Sequence, residues 1–304
     1  MSRIAFLGTP GAAVPTLLAL VDGHDVAVVI TQPDRPVGRS KQPVGSPVKE
    51  EALRLGLTVR QPTNNTEMVQ ALESVDGLDL AVVVAYGRLL TTEALSVPTH
   101  GMLNVHFSLL PRWRGAAPVA RALWGGDPMT GVTIIVLDEG LDTGPVLTAQ
   151  AIDVEPEETN GELTSRLADM GARLLVSVLA GYVRGEIQSV PQTNDGMTYA
   201  AKVEASERPL PVEAVVKDAV NRVRALSPEP GATLRIDDET LQIRRARPSA
   251  ISPRPGTWQT HRGSPVAGFT DGGVELVEIQ PPGKKPMSGA AWIRGLRRSS
   301  GIIG

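Results

Sequence analysis

The run Leu80–Ala85, LAVVVA, constrains this chain more than any other stretch. Consecutive apolar residues without alternation suit a strand covered on both faces, as at the centre of a parallel sheet. Around it the first half alternates short apolar runs with helical patterns. Strands are expected at Ile4–Leu7, Asp25–Thr31, Leu80–Ala85, Met102–Val105 and Val132–Val136. Helices are expected at Ala13–Val21, with Pro15 in its first turn, and at Pro47–Leu55, Thr66–Ser74 and Pro118–Trp124. Alternation of this kind argues for an open, doubly wound, mostly parallel α/β sheet. In Asn160–Leu179, residues Leu163, Leu167, Met170, Leu174 and Leu175 recur at helical spacing, an amphipathic helix that closes this first domain.

Beyond it, Ser189–Pro211 mixes Pro, Gly and polar residues and reads as a linker. A helix is expected from Val212 to Leu226, stopped by Pro228-Glu229-Pro230-Gly231. Short strands at Thr233–Ile236, Leu241–Arg247, Pro265–Phe269 and Val274–Ile279 follow, then a helix near Ser288–Leu296. A small OB-like β-barrel accommodates that pattern. The expected division is therefore a catalytic α/β domain over 1–188, a linker over 189–211 and a barrel over 212–304.

Several function classes fall away on composition. The 304 residues contain no cysteine, which excludes disulfides, thiolate catalysis and thiolate metal sites. The 41% hydrophobic and 21% charged content is that of an ordinary globular chain. After Arg3, the run IAFLGTPGAAVPTLLALV is broken by GTPG and Pro15 where a signal peptide would be continuous. No stretch reaches the ~18 apolar residues of a membrane span. A soluble, cytoplasmic protein without a membrane partner is expected. The net charge of -3 conceals an asymmetry: residues 1–207 hold 15 Lys and Arg against 24 Asp and Glu, residues 208–304 hold 15 against 9. A basic C-terminal third fits either a polyanionic partner or ordinary surface variation.

Gly8-Thr9-Pro10-Gly11 follows the first strand but lacks G-x-G-x-x-G spacing, so a tight strand-to-helix turn explains it better than dinucleotide binding. Asn104 and His106 stand two apart on a strand and share a face, at the edge where open α/β sheets bind ligands. Such a pair could hold a developing oxyanion and manage a proton, or form a structural hydrogen bond. Asp138-Glu-Gly-Leu-Asp142-Thr-Gly144 reads either as a solvated turn or as a carboxylate-bearing flap over His106. The other histidines, His24, His100 and His261, lack companions at ligand spacing, so no metal is expected. Gln32–Pro47 is a long, proline-stiffened loop carrying Arg35, Arg39 and Lys41, suited to phosphate contact or merely an excursion.

Ser108–Pro118 reads SLLPRWRGAAP, with NVH before it and GVTIIVLDEGLDTG after it. Together they closely resemble the methionyl-tRNA formyltransferases. The SLLP-R-x-RG core is shared across folate-dependent formyltransferases. FLGTP, TQPDRPVGR at 31–39, SPVK at 46–49, VVVAYG at 82–87, RALSPEPGA at 224–232 and GKKPMS at 283–288 extend the likeness along most of the chain.

The resemblance implies a formyltransferase-like Rossmann variant followed by an OB-like tRNA-binding domain. It implies that Asn104, His106 and Asp142 form the catalytic trio. Ser108, Leu109, Leu110 and Pro111 would line the folate site with the Tyr86 loop beside them. Arg39 would engage the tRNA acceptor end, and Lys284 and Lys285 its backbone. The formyl donor would be 10-formyltetrahydrofolate, the acceptor initiator methionyl-tRNA and the product N-formylmethionyl-tRNA for translation initiation. The resemblance implies a monomer without metal. A sugar-nucleotide N-formyltransferase would share the trio but need neither the basic barrel nor the Arg39 loop. Phe107 departs from the smaller residue frequent in relatives, Glu204–Pro211 lacks the usual acidic-x-aromatic piece, and Thr233 replaces an aromatic.

Overall fold

The computed structural model describes residues 1–36, 42–296 and 298–304. The chain divides into two compact units, neither continuous in sequence. The first comprises Met1–Pro118, Thr130–Ile152 and Thr164–Ala200; the second comprises Val119–Met129, Asp153–Leu163 and Ala201–Gly304.

The first unit is built on strands β1 (Arg3–Gly8), β2 (Asp25–Ile30), the two-residue ladder β3 (Arg35–Pro36) with β4 (Pro43–Val44), β5 (Val59–Arg60), β6 (Leu80–Val84), β7 (Met102–His106), β8 (Met129–Val136) and β9 (Val146–Asp153). Seven of them form one sheet in the order β5-β2-β1-β6-β7-β8-β9. The pairs β2–β5, β1–β2, β1–β6 and β6–β7 are parallel, and β7–β8 is antiparallel. Every residue of β6 is buried, as its unbroken apolar run requires. The sheet order reverses beside β1, between the β2 and β6 sides, which is where open α/β sheets open a crevice at their carboxyl ends. Gly8 is level with Val84 and Val83 with Asn104, so the loops after β1, β6 and β7 emerge on one edge.

Helices α1 (Val14–Gly23), α2 (Pro47–Arg54), α3 (Asn65–Glu73), α4 (Thr92–Leu95) and α6 (Asn160–Val183) follow these strands in the chain, and α5 (Pro118–Gly125) falls almost wholly in the second unit. The turn Gly11–Ala13 leads straight into α1, so Gly8–Gly11 is the tight strand-to-helix turn expected of it. Ser46 and Asn64 cap α2 and α3 by accepting the backbone N–H groups of Lys49 and Glu67. One core cluster joins Leu7, Ile30, Leu72, Val83, Tyr86 and Met102. Phe107 is buried, and a side chain at Gly171 of α6 would lie 3.6 Å from its ring and 2.6 Å from Val105. That glycine makes room for Val105, with Phe107 packed at ordinary contact distance beside it.

The second unit carries α7 (Val216–Leu226), β10 (Ala232–Ile236), β11 (Glu239–Pro248), β12 (Thr257–His261), β13 (Ser264–Phe269), β14 (Gly272–Gln280), β15 (Met287–Ser288), α8 (Gly289–Gly295) and β16 (Ser300–Ile302). The expected helix over Val212–Leu226 begins later, at Val216: Val215 is extended, and the Val216 N–H is taken by Asp271 Oδ1 at 2.7 Å. The antiparallel sheet runs β10-β11-β14-β13-β12-β16. A bridge between Ile236 and Ile303 joins its two edges, which curls it into the OB-like form. Ala219, Val220, Val223 and Leu226 of α7 pack on a core with Trp258, Phe269, Leu276 and Trp292. The rings of Trp258 and Trp292 lie 5.6 Å apart.

Candidate active site

β7 places Asn104 and His106 on one face at the carboxyl edge of the sheet, 9% and 5% exposed. Asp142 reaches both from the turn after β8. Asn104 Nδ2 donates to Asp142 Oδ1 at 3.2 Å, and His106 Nδ1 lies 3.6 Å from Asp142 Oδ2. The three residues singled out in the sequence therefore converge.

The turn itself shows which of its carboxylates faces the imidazole. Asp138 Oδ1 is occupied within the turn, accepting from Gly140 N at 3.0 Å and Thr143 Oγ1 at 2.7 Å. Glu139 accepts from Thr92 Oγ1 at 2.7 Å. Asp142, at φ 53°, adopts the left-handed backbone that Asp tolerates, and its side chain is turned inward.

The Ser108–Pro118 segment wraps the other side. His106 Nε2 stands 2.9 Å from the Trp113 carbonyl oxygen, and Gly115 N donates to Asp142 Oδ2 at 2.8 Å. Gly115 has φ 119°, and a Cβ there would stand 2.9 Å from the Ala200 carbonyl oxygen, so only glycine fits without displacement. Trp113 N donates to Thr198 Oγ1 at 2.9 Å, and Arg114 exchanges backbone hydrogen bonds with Thr198 and Ala200. Ser108 is fully buried, its hydroxyl donating to Arg112 O at 2.6 Å. Thr133 Oγ1 ties the loop to β8, accepting from Leu110 N at 3.1 Å and donating to Ser108 O at 2.7 Å. Leu109, Leu110 and Pro111 remain partly exposed at the sheet edge.

Tyr86 belongs to the core of the first unit. Its ring is buried within the core, and that burial pushes its phenol above the ordinary tyrosine range. Its carbonyl is engaged, accepting from Thr9 Oγ1 at 3.1 Å and Gln32 Nε2 at 3.3 Å. Arg39 lies outside the described residues. Lys284 and Lys285 are both exposed in the loop between β14 and β15. Lys284 also lines a cleft of about 360 Å³ in the second unit, beside Asp237, Trp292 and Arg298.

Two features here were not anticipated. Buried Arg114 bonds to the partly exposed Gln192, which lies within the stretch read as a linker and in turn bonds to the Asp142 turn. Neither Pro/Gly-rich composition nor local periodicity signals such long-range pairing. Among the described residues no group of three or more His, Asp or Glu could hold a metal ion, and no helix is long and apolar enough to cross a membrane.

The sequence of residues 2–179 matches the model of the formyl transferase family, and residues 213–297 match that of the formyl transferase C-terminal domain. A methionyl-tRNA formyltransferase of Roseobacter denitrificans is 43% identical over 304 residues, covering 99% of this chain and 98% of that protein. The chain belongs to the methionyl-tRNA formyltransferase family. Another member, from Halorhodospira halophila, is 44% identical over 97% of both chains. Among solved structures, the sugar 3N-formyltransferase WlaRD, crystallised with dTDP and 5-N-formyl-THF, superposes with a TM-score of 0.70 at 17% identity, covering 94% of this chain and 99% of that one. That likeness is one of fold. Membership makes this chain a formyl-transferring enzyme.

Proposed function

We propose that the enzyme transfers the formyl group of 10-formyltetrahydrofolate to the free amino group of methionyl-initiator tRNA, with Asn104, His106 and Asp142 as catalytic residues. The observation that carries this reading is the convergence of an amide, an imidazole and a carboxylate at the carboxyl edge of the sheet. An amide nitrogen has two hydrogens. Asp142 takes one from Asn104, and the other serves the oxygen of the tetrahedral intermediate. His106 is fixed through Nε2, so Nδ1 is the nitrogen that turns toward the reaction. Its protonated form stabilises the same oxygen while Asp142 balances the charge.

The neutral methionyl amine attacks the formyl carbon, forming a C–N bond and placing a negative charge on the oxygen. Asp142 passes the amine's proton, directly or through water, to the folate nitrogen. The bond from that nitrogen to the formyl carbon breaks as the carbonyl reforms. Leu109, Leu110 and Pro111 offer a partly exposed apolar surface suited to a folate's aromatic rings. Ser108 and Thr133 hold that loop to the sheet.

For the tRNA, the same reading assigns Lys284 and Lys285 to phosphate contacts and Arg39 to the acceptor end. Exposure of both lysines supports a backbone grip that carries no base specificity. The reaction belongs in the cytoplasm, with the enzyme acting as a monomer. The test compares formyl transfer from 10-formyltetrahydrofolate to methionyl-tRNA and to an amino-sugar nucleotide by the purified protein. Formylation of methionyl-tRNA alone is expected; preference for the sugar would reverse the assignment.

A further inference from the structure

The side-chain amide of Gln192 is saturated. Its Nε2 donates to the carbonyl oxygens of Asp142 at 2.9 Å and Gly144 at 2.7 Å. Its Oε1 accepts from Arg114 Nε at 3.1 Å and Nη2 at 2.7 Å. Two donors and two acceptor sites are all that a glutamine amide possesses. Its orientation is therefore determined, because the flipped amide would set oxygen against two carbonyls and nitrogen against a guanidinium. Arg114 is 4% exposed, and its Nη1 is directed at Met197 Sδ, 3.1 Å away.

The placement of these bonds matters more than their number. The carbonyls held by Gln192 belong to Asp142 itself and to Gly144, so they pin the turn at and just after the left-handed Asp142 backbone. Arg114 sits between Trp113, whose carbonyl meets His106 Nε2, and Gly115, whose N–H meets Asp142 Oδ2. One buried guanidinium thus links the segment that orients the imidazole to the segment that carries the carboxylate. A shift at either Arg114 or Gln192 changes the separation of His106 and Asp142. Displacement by as little as ~1 Å can cost about 10²-fold in rate.

We infer that Arg114 and Gln192 are positioning residues that set the His106–Asp142 geometry while touching neither substrate, an inference that rests on the catalytic reading above. Gln192→Glu tests it with the least disturbance. The variant keeps an oxygen partner for Arg114 but turns a second oxygen toward the Asp142 and Gly144 carbonyls. Expected is a fall in kcat of about 10²-fold, with KM for methionyl-tRNA and Kd for 10-formyltetrahydrofolate within twofold of the parent. Gln192→Met, which removes the amide without adding repulsion, should lose less.

A second measurement needs no substrate: the ¹⁵N resonances of the His106 ring, assigned by comparison with His106→Asn. The Gln192→Glu variant should move the Nδ1 signal of His106 and leave those of His24, His100 and His261 in place. Parental kcat or an unmoved His106 signal would overturn the inference, as would a kcat loss wholly matched by lost folate binding. If the parent protein failed to formylate methionyl-tRNA, the functional reading would fall. The ring signal would still decide whether the clamp orients His106.

Discussion

Nε2 of His106 lies 2.9 Å from the carbonyl oxygen of Trp113. A carbonyl can only accept, so Nε2 carries a hydrogen and Nδ1 is the nitrogen left for other partners. Nδ1 is the nitrogen that faces Asp142, 3.6 Å from Oδ2. A backbone carbonyl thereby fixes which imidazole nitrogen is turned toward the Asp142 carboxylate.

Asp142→Asn preserves shape while removing the charge opposite Nδ1. Turnover should fall by ~10²–10⁴, the range for a positioned acid–base group, with an altered pH–rate profile. Steady-state kinetics across pH check this. A loss below tenfold with an unchanged profile would reduce Asp142 to a turn residue.

Thr133 tests the loop proposed to bind folate separately from the proposed chemistry. Its hydroxyl is fully buried and joins Leu110 N to Ser108 O. Thr133→Val leaves both groups without that partner, at a cost of about 1–3 kcal/mol in stability. Binding of 10-formyltetrahydrofolate, followed by calorimetry, should weaken while kcat at saturation changes little, and Thr133→Ser should restore stability and affinity. Unaltered affinity in Thr133→Val would show that this tie does not shape the site.

The second unit carries a pH-dependent link of its own. Hydrogen bonds from the Arg121 guanidinium, then the Glu204 N–H, hold the Glu207 carboxyl down at about 2. A carboxyl depressed in the folded state adds stability above its ordinary range, and that contribution is lost as pH falls from about 5 to about 2. Glu207→Gln should lower Tm at pH 7, and the gap from the parent should close across that window. Parallel Tm curves for the two proteins would contradict the assignment.

Lys284→Ala combined with Lys285→Ala should weaken initiator and elongator tRNA about equally. The slope of log K against log[salt] should flatten by roughly 0.7–0.9 for each lost contact. Arg39→Ala should instead depress kcat/KM for methionyl-tRNA and leave folate binding unchanged. Filter-binding titrations over salt and steady-state kinetics separate the two. A lysine pair that altered only the choice between tRNAs, or a silent Arg39→Ala, would end this division of labour.

The parallel core was legible because its signals are local. The apolar run from Leu80 suited a strand buried on both faces and is one over Leu80–Val84, with Ala85 exposed beyond its end, and the two-residue spacing of Asn104 and His106 set them side by side. β12 and β16 were not legible. Of the TWQTH strand only Trp258 is buried, and Ser300–Ile302 is defined by its partner rather than by its own pattern. Nor could sequence choose among Asp138, Glu139 and Asp142, since the choice depends on which carboxylates the turn consumes in its own hydrogen bonds. Gln192 lies in a stretch whose composition suggested a tether. Its order comes from Arg114, 78 positions away.

The most direct test is single-turnover transfer by rapid quench, with enzyme in excess and saturated with 10-formyltetrahydrofolate, comparing the parent with Asn104→Ala and His106→Ala. Loss of one oxyanion donor typically costs ~10²–10³ in rate. Each variant should show that loss in the transfer step with folate affinity nearly intact. Transfer at close to the parental rate in either variant would contradict a site built on Asn104 and His106.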